Sequence, residues 1–141
     1  MTTPSSEPRS ADPNVPPAVA GTPRASLPRV VNAFINSADG LRAGWSEAAF
    51  RQEVLLAAIL LPCAFWVPVA PVERALLIAS VLLVLVVELL NSAVESAIDR
   101  VSLERHALSK RAKDLGSAAV LVSLILCAGV WAVILVPLAA R

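Results

Sequence analysis

The chain has 141 residues, is 57% hydrophobic with a mean hydropathy of +0.71, and carries a formal net charge of +1. That length limits it to one compact bundle, and so balanced a charge supplies no basic field for nucleic acid. Its five glycines, at positions 21, 40, 44, 116 and 129, permit neither a Walker A loop nor a kinase glycine-rich loop, and GxSxG and HExxH are also absent.

Residues 1–28 hold seven of the eleven prolines, interspersed with Ser, Thr, Ala and Arg and without an apolar run. This composition predicts a disordered cytoplasmic tail with no catalytic role, and it lacks the apolar stretch of a signal peptide. From Arg29 to Phe50 the pattern changes. Val30, Phe34, Ala38, Leu41 and Trp45 recur at helical spacing, while Asn32, Asn36, Asp39 and Arg42 take other faces. An amphipathic surface helix over 29–50 is expected, anchored by Trp45 at the membrane interface and weakened at Gly40 and Gly44, where the sequence allows a break.

Three stretches are apolar enough to span a bilayer. Val54–Val72 is uncharged, Ala75–Ile98 carries only Glu88 and Glu95, and Leu115–Ala140 is uncharged. About 20 helical residues cross ~30 Å of hydrocarbon, so spans are placed at about 51–70, 72–99 and 113–137. Pro68 and Pro71 mark a short turn that makes the first two spans a tight hairpin. Arg24, Arg29, Arg42 and Arg51 precede the first span, and Arg100, Arg105, Lys110, Arg111 and Lys113 cluster between the second and third. The opposite side has only Arg74 and Arg141. The excess of basic residues puts the N-terminus in the cytoplasm and the C-terminus on the other side. Cys63 and Cys127 fall inside apolar spans as small hydrophobes, with no spacing that indicates a disulfide or a zinc site.

The second span contains the chemistry. Glu88, Asn91, Ser92, Glu95 and Asp99 share one helix face at its cytoplasmic end. An ionised carboxylate at the bilayer centre costs about 2.5–3.5 kcal/mol on insertion scales, so this stripe must face protein, metal, water or substrate. Glu88 and Glu95 lie about 10 Å apart along the axis, too far to share one small ion without another element, and so take different roles. Asn91, between them, can orient either carboxylate. Glu53, near the start of the first span, reaches a depth comparable with Glu95, and the two together suit Mg²⁺, which prefers carboxylate oxygens alongside phosphate and water. Lys113 and Asp114 open the third span at the same level, where a Lys beside Mg²⁺ suits a polyphosphate. Glu88, deeper, is placed to act as a base on a hydroxyl presented from the bilayer. Charges that merely pair across helices account less well for five such groups at one level.

The run VELLNSAVESAIDR, followed by RAKDLGSAAVLV and preceded by GLRAGWSEAAFRQE, resembles the prokaryotic diacylglycerol kinase family from about Arg29 to the C-terminus. The resemblance implies an all-α inner-membrane homotrimer. Each subunit would have three spans and a surface helix, with active sites shared between neighbours that transfer the γ-phosphate of MgATP to diacylglycerol and yield phosphatidate. It implies that Glu88 is the base and that Glu53 and Glu95 bind metal. Arg29, Asn36, Glu53, Glu95, Glu104, Arg105, His106, Lys113 and Asp114 would contact the nucleotide. Ser117 and Trp131, with Glu88, would line the lipid site, and Asn91 and Asp99 would position the others. Two alternatives remain. An undecaprenol kinase has the same architecture, although FRQE and GSAAV resemble the diacylglycerol branch more closely. A small proton-coupled transporter would also carry an intramembrane acid, but the acids here cluster at one surface beside Lys113 and Asp114.

Overall fold

The computed structural model describes residues 27–101 and 106–140. Apart from the short connections between them, these residues form four helices: α1 (Leu27–Ser46), α2 (Ala48–Trp66), α3 (Pro71–Val101) and α4 (Ala107–Ala139). The last three are long and apolar enough to cross a membrane. Each of these three sequences is nearly continuous in apolar residues, so the backbone can satisfy its own hydrogen bonds only by running as uninterrupted helix through lipid. α2 continues through Pro62 and α4 through Pro137.

α1 gives way at Glu47, not at Gly40 or Gly44. Glu47 is extended, with φ −79° and ψ 133°, between the end of α1 and the start of α2. The bend is held from both sides. Glu47 N–H donates to the Gly44 carbonyl at 2.9 Å, and Arg51 Nη1 donates to the carbonyls of Trp45 and Ser46 at 3.0 and 2.8 Å, satisfying acceptors that the helix end leaves free. Helicity persists through Gly44 because tertiary contact outweighs its weak propensity. A Cβ there would stand 2.9 Å from Leu89 Cδ2 and 3.2 Å from Phe50 Cδ1, so glycine lets the end of α1 lie against α3 and the buried Phe50 ring.

α2 and α3 form the expected tight hairpin. Pro71 opens α3, where its missing N–H costs nothing. Glu73 Oε2 accepts from Ala70 N–H at 2.8 Å, and Arg74 Nη2 donates to the Val67 carbonyl at 3.1 Å. α3 is the central element, packed against α2 on one side and most extensively against α4 on the other. The core between them is Ala57, Val81, Val84 and Cys127, extended by Leu60, Leu61, Leu85, Leu124 and Trp131. Small residues at 57 and 127 allow the three helices to approach closely, as helix pairs in lipid require when no hydrophobic force separates protein from solvent. Cys63 and Cys127 are both free.

Candidate functional site

The polar stripe of α3 faces two neighbours. Ser92 and Ser96 turn toward α1, lining a cleft of about 600 Å³ with Ser37, Gly40 and Glu47. Asn91 and Asp99 turn toward α4, where Asn91 Oδ1 lies against Gly116 and Asp99 Oδ1 accepts from Lys113 Nζ at 2.6 Å. Glu88 lies between these directions and is only 3% exposed, the one buried carboxylate among the described residues.

Other carboxylates converge on it. Glu53 from α2, Glu95 one turn beyond Asn91 on α3, and Glu47 from the α1–α2 bend all lie near enough to interact electrostatically with Glu88. Like charges held together in a half-dry setting need a counter-charge or a proton, so this corner is suited to cations and to proton transfer. Asn91 Nδ2 donates to Glu95 Oε1 at 3.3 Å, which orients that carboxylate. Glu53 is half-buried, and its Oε2 is buried without a hydrogen-bond partner.

Among the described residues no three His, Cys, Asp or Glu side chains gather into a metal cage. Mg²⁺ does not need one. It is commonly held by one or two carboxylates and completes its shell with phosphate oxygens and water. The orphaned Oε2 of Glu53 and the oriented Glu95 carboxylate fit that requirement, and Glu47, on the edge of the polar cleft, adds a third candidate oxygen pair.

Glu53 also opens onto an apolar pocket of about 310 Å³ between α2, α3 and α4, whose walls include Leu56, Leu60, Val84 and Trp131. Trp131 is fixed there by its indole N–H, which donates to the Leu77 carbonyl at 3.4 Å. The α1–α3 cleft presents serine and glutamate side chains among its apolar ones, whereas this pocket is almost wholly apolar, a contrast that suits an amphipathic substrate.

The remaining sequence-selected residues are more dispersed. Lys113 is engaged with Asp99, and Asp114 with Lys110 along α4. His106 caps α4, its Nδ1 accepting from Leu108 N–H at 3.3 Å. Ser117 is exposed on α4, and Arg29 and Asn36 are exposed on α1, where Gly44 is the one buried position among those described. Glu104 and Arg105 lie outside the described residues. Sequence reasoning passed over two positions that the structure brings forward: Glu47, which reads as a mere helix-start residue, and Gly116, whose significance depends on what lies opposite it.

Comparison with known proteins bears on this site. Residues 35–135 match the family described as Prokaryotic diacylglycerol kinase. The chain is 56% identical over 110 residues to a protein of Pseudomonas aeruginosa named Diacylglycerol kinase, an alignment covering 77% of this chain and 89% of that one. Proteins of the same name from Escherichia coli and Haemophilus influenzae are 49% and 47% identical over 110 residues, covering 76% and 77% of this chain and 88% and 93% of theirs. The matched stretch takes in α1 from residue 35, all of α2 and α3, and α4 as far as residue 135, including every residue of the acidic corner.

Proposed function

The chain belongs to the prokaryotic diacylglycerol kinase family, and from that premise we propose how its own residues carry out the ATP-dependent phosphorylation of diacylglycerol to phosphatidate. The observation that carries the proposal is the position of Glu88, the one buried carboxylate among the described residues, on α3 between Val84, which lines the apolar pocket, and Leu89, which lines the α1–α3 cleft, with other carboxylates around it.

The acceptor lipid places its acyl region in the apolar pocket against Trp131, with Ser117 near its course, and its free hydroxyl at Glu88. A Glu88 carboxylate oxygen takes the hydroxyl proton as the lipid oxygen bonds to the γ-phosphorus. The bond from that phosphorus to the bridging oxygen breaks, and ADP leaves with the electron pair. Mg²⁺, when bound, neutralises the phosphate charge that shifts during transfer. Glu95 would hold it together with Glu53 or Glu47, and the exposed, cleft-side position of Glu47 favours it as the second ligand. Lys113, held at the mouth by Asp99, meets the polyphosphate. Asp114, His106, Glu104, Arg105, Arg29 and Asn36 complete the nucleotide contacts.

Several wider features belong to the same proposal. The subunit works in the bacterial inner membrane with its N-terminus and the basic loop in the cytoplasm, where MgATP is available. Residues 29–141 form the kinase domain, and residues 1–28 are a tail outside it. Three copies associate, sharing sites between neighbours. Most of α4 is left uncovered by the rest of the chain, a surface that lipid and the neighbouring copies would share. The direct test is an acceptor panel with radiolabelled ATP and purified protein, comparing diacylglycerol, monoacylglycerol and undecaprenol. Phosphatidate as the dominant product is expected. Preferential labelling of undecaprenol would place the chain in the polyprenol branch.

A further inference from the structure

Gly116 and Asn91 occupy facing positions on α4 and α3 that leave no room for any other residue at 116. A Cβ built on Gly116 would enter the van der Waals sphere of Asn91 Oδ1, with Asn91 Cγ only 3.3 Å away. The same Oδ1 is buried and has no conventional hydrogen-bond donor. The hydrogen that Gly116 carries in place of a Cβ points at that oxygen, the arrangement of the Cα–H···O contacts that recur where helices pack closely.

The other end of the amide faces the acidic corner, Nδ2 donating to Glu95 Oε1. Reversing the amide would aim an N–H at the Gly116 Cα–H and turn Oδ1 toward the Glu95 carboxylate, so both ends would repel. Gly116 thus selects the orientation in which Asn91 is a donor to Glu95.

We propose that Gly116 is a positioning residue for the phosphoryl transfer: by admitting the Asn91 side chain against α4 and fixing its amide, it holds the Glu95 carboxylate in the orientation that receives Mg²⁺. This rests on Glu95 as a metal ligand, as set out above. A methyl group at 116 must either rotate Asn91 into another rotamer or push α4 away, and either movement removes the donor from Glu95. Loss of a hydrogen bond behind a metal ligand typically weakens metal binding 10–100-fold, on the order of magnitude seen in other sites.

The test measures turnover, the Mg²⁺ concentration for half-maximal activity, and thermal stability for Gly116→Ala, Asn91→Ala, the double variant and Glu95→Gln. Gly116→Ala and Asn91→Ala should raise the Mg²⁺ requirement by similar factors. The double variant should be no worse than Asn91→Ala, since the obstructed side chain is gone. A Gly116→Ala protein that loses stability but keeps the native Mg²⁺ dependence overturns the proposal, as does a double variant whose loss is the product of the two single losses. If Gly116→Ala does not accumulate in the membrane, Asn91→Ala decides, and a native Mg²⁺ dependence in it overturns the proposal. Failure of the metal assignment itself is distinguishable, because Glu95→Gln would then leave the Mg²⁺ dependence unchanged while the coupling between 91 and 116 in turnover still showed whether the pair acts as a unit.

Discussion

Lys113 Nζ and Asp99 Oδ1 lie 2.6 Å apart, tying the start of α4 to the end of α3 at the mouth of the acidic corner. Both side chains are partly exposed, at 38% and 53%, so the pair contributes at most about 1 kcal/mol to stability. Its significance is in where it puts the ammonium. Lys113→Met removes a charge-assisted phosphate contact worth about 1.5–3 kcal/mol, so KM for MgATP should rise on the order of 10–100-fold. Asp99→Asn keeps an acceptor and leaves the lysine charged, so KM should rise only a few-fold, with the melting temperature nearly unchanged. Equal losses in the two variants would show that Asp99 touches the nucleotide itself.

Glu88→Gln preserves shape and removes the basic oxygen. Turnover should fall on the order of 10²–10⁴-fold, the range for a general base, while MgATP binding measured by calorimetry stays close to native. Loss of nucleotide binding together with loss of assembly would instead make Glu88 a structural or metal-site residue.

Mg²⁺ titrations of Glu95→Gln, Glu47→Gln and Glu53→Gln separate the candidate ligands. Glu95→Gln should raise the half-saturating Mg²⁺ concentration and weaken MgATP binding, with the protein still assembled. Of the other two, the variant that reproduces this shift identifies the second ligand, and Glu47→Gln is expected to do so because Glu47 is exposed and lines the α1–α3 cleft. A shift in neither would remove both from the metal site.

The apolar pocket predicts a different signature. Trp131→Ala should raise KM for diacylglycerol several-fold at saturating MgATP and leave the nucleotide KM unaltered, because the indole lines the apolar pocket and not the α1–α3 cleft. Trp131→Phe keeps a ring and loses only the donor to Leu77, a bond worth about 1 kcal/mol, so its effect should be smaller.

Deleting residues 2–25 should leave turnover nearly unchanged, since their proline-rich, apolar-poor sequence has little to bury against a bundle. A large loss of activity in well-folded protein would assign the tail a role in the kinase.

Hydropathy along the chain was enough to read three spanning helices and the tight hairpin, because in lipid an apolar run of sufficient length has no alternative to helix. The acids of the second span were legible for a related reason: carboxylates in such a run are too costly to be incidental, and helical periodicity alone aligned Glu88, Asn91, Glu95 and Asp99. Periodicity could not tell what each edge of that stripe meets, since this depends on how α3 is rotated against its neighbours. Only the packed helices turned Ser92 toward α1 and Asn91 toward Gly116, carried α1 unbroken past both glycines to Glu47, and added Glu47 to the acids around Glu88. Propensity is a local quantity, and it allows a break at Gly40 or Gly44. The contact of Gly44 with Leu89, 45 positions along the chain, overrode it.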